Sequence, residues 1–359
     1  MCYININAHR AGDSIVRSAY KYLPSDQLSE VMVISGSMVA AIEIKNLTKR
    51  YGEITAVDQL NLTVEQGELF GFVGPNGAGK TTTIRIIAGL LQPNGGEVLI
   101  AGNSIRRAST EVKRKIGYMP DYFGVYPNLK VWEYLEFFCS CYRIDKRKSP
   151  SLIEGLLELV DLNHRRDDMV DRFSRGMKQR LSLARTLIHD PEVLILDEPA
   201  AGLDPRARVE IRESLLELSR MGKTVFFSTH ILADVAEICS RIGIIEAGKL
   251  VASGTITDLH LELIPRRQIE ITLLDRIMDA KEILKVTPGV TIIETQNLSQ
   301  VIGSEKTRDH LVIDFSGDDQ ALSQILSELV SKEIPVLHFS EDNRDLEEIF
   351  LRATKGIVT

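Results

Sequence analysis

Gly74-Pro75-Asn76-Gly77-Ala78-Gly79-Lys80-Thr81 reads G-x-x-x-x-G-K-T, with Thr82 opening the segment that follows. The pattern suits a loop that wraps phosphate groups. Several negative charges close together are best received by a row of backbone N–H groups, and glycine lets the backbone come near enough to supply them. Lys80 is then placed to reach the outer phosphates, and the Thr81 hydroxyl to take a place on Mg²⁺. The flanks agree. Glu68-Leu69-Phe70-Gly71-Phe72-Val73 is a short apolar run of the kind a buried strand makes, and Thr83 to Leu91 is apolar at helical spacing. A helix starting beside the loop turns its positive dipole end toward an anion.

A second apolar run, Val193-Leu194-Ile195-Leu196, ends in the acids Asp197-Glu198. Parallel strands buried on both faces read this way, and α/β folds bind ligands at the carboxyl ends of such strands. Asp197 is the candidate to hold Mg²⁺ through water, and Glu198 the candidate to polarise an attacking water.

Bulk properties narrow the function classes. A chain of 359 residues is long enough for about two domains, each with its own core. A formal net charge of -7 argues against a nucleic-acid binder. The apolar stretch from Val31 to Ile42 is too short to span a bilayer, and it lacks the basic start of a secretion signal. The expected location is therefore cytoplasmic. Cys2, Cys139, Cys141 and Cys239 have no companion pair or histidine cluster, which fits packed thiols rather than a metal site.

Residues 1–37 show no clear periodicity, and the N-terminal extension is bounded at 1–39. They are expected to form a poorly ordered extension, or to follow from a start placed too far upstream. From 40 to 255 strand and helix patterns alternate, which implies an α/β domain. Within it, about 122–178 has mostly helical character. Val131, Tyr134, Leu135 and Phe138 share one helical face with Asn128 as candidate N-cap, and Leu152, Leu156, Leu157 and Val160 share another. From 256 to 359 the succession is strand (Ile269/Ile271/Leu273), helix near 276–284, strand near 290–294, strand (Leu311/Ile313/Phe315), helix near 321–330, strand at 334–338 and a last helix at 346–352. That order predicts a small α+β, ferredoxin-like domain of split βαβ type.

With Phe173-Ser174-Arg175-Gly176-Met177-Lys178-Gln179 placed one helix before the acidic strand, residues 40 to 255 resemble the nucleotide-binding subunit of ABC transporters. The segment is similar to that family's signature, usually Leu-Ser-Gly-Gly-Gln. It keeps Ser174 and Gly176, a hydroxyl and a bare backbone N–H at a helix start. Other positions fall in the family's order. Tyr51 stands where an aromatic stacks on adenine. Ala201-Gly202-Leu203-Asp204 stands where a loop touches the partner subunit, and His230, after Phe226-Phe227-Ser228-Thr229, where a histidine meets the γ-phosphate. Two charges depart from the pattern: Asp121 follows Gly117-Tyr118-Met119-Pro120 in place of glutamine, and Arg175 replaces a glycine. Asp121 is carried as a metal-ligand candidate only through its position.

The resemblance implies a P-loop ATPase with a parallel-sheet core, an antiparallel β subdomain and a helical subdomain. ATP is its substrate and Mg²⁺ its cofactor. Two copies, or this chain and a related subunit, would pair head to tail, each site closing between the phosphate loop of one and the signature of the other. A chain without a span of its own would then serve a separate multi-span permease from the inner face of the membrane. The helical insertion and the Asp121 loop would be the docking surface. The tail, ending in Asp345-Leu346-Glu347-Glu348-Ile349-Phe350-Leu351, resembles that of ATPases in multidrug, polyketide-antibiotic and sodium efflux systems, which favours export. The alternative is a soluble ATPase of the same type not coupled to transport. The span from Lys80 to Ser174 is too short for the coiled coil of the DNA-repair members. A small-molecule kinase would share the loop but lack Ser174, Gly176 and His230.

Overall fold

The computed structural model describes residues 40–107, 110–122, 124, 126, 128–263, 267–297, 309–341 and 346–354. The extension expected at residues 1–39 lies outside them. The chain divides into two compact units, the first ending at Ser253 and the second beginning at Gly254.

Two sheets build the first unit. Strands β1 (Ala40–Tyr51), β2 (Ile54–Glu65), β4 (Gly95–Ile100) and β5 (Asn103–Ser104) form an antiparallel sheet in the order β2-β1-β4-β5. The second sheet runs β10-β9-β3-β8-β7-β6, with β3 (Leu69–Val73), β6 (Ile116–Met119), β7 (Val193–Asp197), β8 (Thr224–Thr229), β9 (Arg241–Glu246) and β10 (Lys249–Gly254). Its five strands from β9 to β6 pair in parallel. Every residue of β3, β7 and β8 is buried, as their unbroken apolar runs require.

Helix α1 (Lys80–Ile87) packs against β2, β7 and β8. It ties the two sheets into one core in which Ile42, Val57, Phe72, Ile84, Ile87 and Ile195 are buried together. Phe70 stacks on Phe226 at 5.6 Å between ring centroids. Removing from water a side chain of that size stabilises by roughly 1.5–3 kcal/mol. The helix that follows the phosphate loop is therefore anchored on its far side by the core, and its N-terminus is held in place at the strand ends.

After the short α2 (Thr110–Arg114), the chain leaves the sheet and forms α3 (Val131–Cys141) and α4 (Ser149–Leu159). Here the structure corrects two expectations. The residue flanking α3 is Lys130, not Asn128. Its start is fixed by other groups: the Lys130 amide donates to Glu133 Oε2 at 2.9 Å, and the Val131 amide to the Asp168 carbonyl at 3.0 Å. In α4 Ile153, not Leu152, joins Leu156, Leu157 and Val160 in the core. The chain returns through α5 (Arg175–Leu187), which delivers it to β7. Helices α6 (Pro205–Arg220) and α7 (Leu232–Ile238) follow β7 and β8.

The second unit opens with α8 (Ile256–Leu263). Strand β11 (Arg267–Leu273), α9 (Ile277–Val286), β12 (Val290–Asn297), β13 (Asp309–Phe315), α10 (Asp319–Ser331) and β14 (Val336–Glu341) then follow, and α11 (Leu346–Ala353) closes the series. The sheet order is β12-β13-β11-β14 and all its pairings are antiparallel, so two interleaved βαβ halves share one sheet. Ile269, Ile271, Leu311 and Ile313 sit on the buried face, in the alternation the sequence displays. They pack with Ala280 and Leu284 of α9 and Ile325 and Leu329 of α10.

Candidate functional site

The site begins with two glycines. Gly79 caps α1 at φ 104°, a backbone conformation costly for any residue with a β-carbon, and such a carbon would also strike the Ala56 carbonyl. A β-carbon on Gly74 would strike the Ile245 carbonyl. The loop is thus clamped between β2 and β9. No side chain caps α1. Its first N–H groups have no carbonyl one turn back to bond, so the helix start is open to an anion.

Lys80 is only 6% exposed. Its ammonium donates to the Gly74 carbonyl at 2.7 Å and the Pro75 carbonyl at 3.2 Å, and lies 3.4 Å from Glu198 Oε1. Thr81 Oγ1 donates to Asp197 Oδ1 at 3.2 Å, joining the loop to the end of β7. Glu198 then leaves the strand at φ 52°. A non-glycine residue pays about 1 kcal/mol or more there, and such strain is found where a side chain must be aimed. Glu198 Oε2 meets His230 Nδ1 at 2.9 Å. A carboxylate only accepts, so with Glu198 ionised the imidazole proton sits on Nδ1 and Nε2 is left for another group.

Ser228 was not legible as part of this site. Buried in β8, it donates to Asp197 Oδ1 at 2.8 Å and accepts from the Glu198 amide at 3.0 Å, so one hydroxyl positions both acids. The available signal was a serine inside a buried apolar strand two residues before His230. Burial raises the Asp197 pKa above the ordinary carboxylate value. Hydrogen bonds from Ser228 and Thr81 oppose that shift, while Glu198 and Asp121 add to it.

The residues fit a hard divalent cation of one kind. Among the described residues no group of three or more His, Cys, Asp or Glu side chains is placed to hold a metal. What converges is one hydroxyl and one carboxylate, Thr81 and Asp197. Mg²⁺ accepts such a set, because it keeps several waters and takes further oxygens from phosphates. Asp121 lines the same cleft, of about 410 Å³, with Asn76, Gly77, Thr82, Glu198 and His230.

Four residues singled out in the sequence stand away from this cleft. Tyr51 ends β1, is 48% exposed and has Lys49 Nζ 5.1 Å from its ring centroid. Ser174 caps α5 on the surface, its hydroxyl accepting from the Met177 amide at 3.3 Å. Gly176 packs against α6, where a β-carbon would come 2.9 Å from that of Ala207. Asp204 caps α6, accepting from the Ala207 amide at 3.0 Å.

The profile of the ABC transporter family matches residues 57–201. Bacitracin transport ATP-binding protein BcrA of Bacillus licheniformis is 41% identical over 240 residues, 67% of this chain and 77% of that protein. This chain belongs to the ATP-binding proteins of ABC transporters. Linearmycin resistance ATP-binding protein LnrL of Bacillus subtilis is 38% identical over 218 residues, 61% of this chain and 70% of its own length. The match to probable multidrug ABC transporter ATP-binding protein YbhF of Escherichia coli, 41% identical, spans only 38% of that longer protein. Among solved structures, an ATP-binding subunit of an ABC transporter superposes with a TM-score of 0.56 at 30% identity, over 62% of this chain and 92% of its own. A dimeric ATP-binding cassette holding ADP and phosphate does so with 0.55 at 28% identity, over 60% and 98%. The first unit therefore has the ATP-binding cassette ATPase fold. Among the described residues no helix is long and apolar enough to cross a membrane.

Proposed function

We propose that this chain hydrolyses ATP as one half of a nucleotide-clamped dimer and thereby drives a separate membrane permease, most naturally in export. The observation that carries this reading is an asymmetry within one chain. Lys80, Thr81, Asp197, Glu198 and His230 are joined to one another, while Ser174 faces solvent at the start of α5. A hydroxyl so placed serves a phosphate only if a second chain brings one to it.

In this mechanism the loop from Gly74 to Thr82 binds the triphosphate through backbone N–H groups, and Lys80 neutralises its outer end. Tyr51 stacks on the base. Thr81 and Asp197 would hold Mg²⁺, which would offset the negative charge of the phosphates. Asp121 is a further ligand candidate. Glu198 accepts the proton of the attacking water as its oxygen bonds to the γ-phosphorus and the bond to ADP breaks. His230, oriented by Glu198 through Nδ1, turns Nε2 toward the γ-phosphate, and in its imidazolium form that nitrogen donates to it. Ser174 and Gly176 reach the partner's nucleotide, and Asp204 lies in the loop at the dimer face.

Tyr122, Tyr126, Phe137 and Tyr142 are exposed on the helical insertion and the segment before it, which supports docking on a membrane partner there. Export rests on the relatives' names, which speak of bacitracin transport, linearmycin resistance and multidrug transport. The test is purification of the tagged chain from detergent-solubilised membranes. Recovery of a multi-span protein whose presence changes ATP turnover supports the reading. Full recovery in the soluble fraction, with turnover unaffected by membranes, favours a soluble ATPase of this family instead.

A further inference from the structure

Two charges stand in this sequence where the family pattern has neutral residues, and the fold sets both on one cleft. Asp121 follows β6 and Arg175 opens α5, yet both line the cavity that also holds Lys80, Glu198 and His230. Arg175 reaches it by lying on the loop after the acidic strand. A β-carbon on Gly202 would stand 2.5 Å from Arg175 Nη1 and 2.6 Å from its Cζ, so the guanidinium rests on bare backbone.

The charges explain each other. Lys80 and Glu198 cancel within the cleft. Asp121 alone would add a net negative charge where a triphosphate has to bind, and a like charge in a partly enclosed site repels strongly. Arg175 offsets the charge that Asp121 adds. We propose that Arg175 is the counter-charge to Asp121 within a single protomer, a positioning residue that keeps the nucleotide cleft receptive despite the added acid. The signature turn then has two separate duties: Ser174 and Gly176 face a partner's nucleotide, and Arg175 turns back to its own. The proposal rests on the nucleotide-binding reading above.

A double-mutant cycle on the full chain tests it, read by equilibrium binding of ATP with and without Mg²⁺. Arg175→Gly is expected to weaken binding about tenfold, whereas Asp121→Gln in the otherwise unaltered chain should change it by less than about threefold, because the exposed Arg175 relaxes into solvent when its partner is gone. The combined variant should return to within about threefold of the unaltered chain. Arg175→Lys, which keeps the charge, should retain most of the affinity. Raising the salt from about 50 to 500 mM should shrink the Arg175→Gly penalty. A combined variant as weak as Arg175→Gly alone would overturn the pairing and leave Arg175 acting elsewhere, for instance on a partner's nucleotide. A penalty insensitive to salt would overturn it too, in favour of packing on Gly202. Loss of all ATP binding by the unaltered chain would instead sink the underlying nucleotide reading.

Discussion

The phosphate loop and the signature turn both sit at the start of a helix, and they are built in opposite ways. At the loop, Lys80 is buried and the groups around it are bound into one network through Thr81, Asp197, Ser228, Glu198 and His230. At the turn, Ser174 is exposed and, among the described residues, its hydroxyl meets the amide three residues on. One network is closed within the chain. The turn is a pair of groups at a helix start, one capping the helix and the other packed on α6. A cap of that kind is worth about 1 kcal/mol to the helix, which explains its stability but not its place beside a loop carrying Asp204 and Gly202.

The contrast is broken most severely at the lysine. Lys80→Ala removes the ammonium held in the phosphate loop and leaves the half-buried Glu198 without its cation. Turnover should fall by about a thousandfold and tight ATP binding should go with it, as measured by steady-state hydrolysis and titration of a fluorescent nucleotide. Normal turnover would remove Lys80 from the site. Glu198→Gln keeps shape and hydrogen bonding but cannot take a proton. Hydrolysis should drop by about a hundredfold or more while ATP binding persists and the chain elutes as a dimer in ATP. A monomer under those conditions contradicts the shared site.

Ser174→Arg sharpens the comparison, because it addresses the other end. Turnover should fall by roughly tenfold to a hundredfold while the isolated chain binds nucleotide as before. Equal loss of binding would mean that the turn serves its own loop.

The smallest effect is on stability. Burial holds the Asp197 pKa above the ordinary value, so the ionised carboxylate is disfavoured in the folded protein. A raised carboxylate contributes stability that is complete below its unfolded value and is lost as pH rises through its folded value. Near neutral pH the ion is therefore a net cost. Asp197→Asn should raise the melting temperature there, by roughly 2–4 °C per kcal/mol recovered, while abolishing Mg²⁺-dependent hydrolysis. The gain should vanish in acid, and a variant less stable at neutral pH would show that Asp197 is a structural anchor.

Much of the site was legible because phosphate chemistry leaves few choices. Backbone approach demands glycine, outer phosphates a lysine, and a metal shell a hydroxyl and a carboxylate, so Gly74 to Thr81 and Asp197-Glu198 declare themselves in one dimension. Ser228 did not, since a serine in an apolar strand looks like filler until the strands pair. The relation between Asp121 and Arg175 was hidden for the same reason: the two lie on different elements, and only the fold puts them on one cavity. In the second unit the succession of strands and helices was readable from alternation at Ile269/Ile271 and Leu311/Ile313. The start of α3 was misread because Glu133 and the Asp168 carbonyl, rather than a residue before the helix, satisfy its first amides.

The most direct test of the whole account is ATP turnover per chain as a function of chain concentration at saturating Mg-ATP. If each nucleotide is completed by a second copy, specific activity rises with concentration and levels off where sizing shows the dimer. A specific activity that is constant down to concentrations where the protein is monomeric would contradict it.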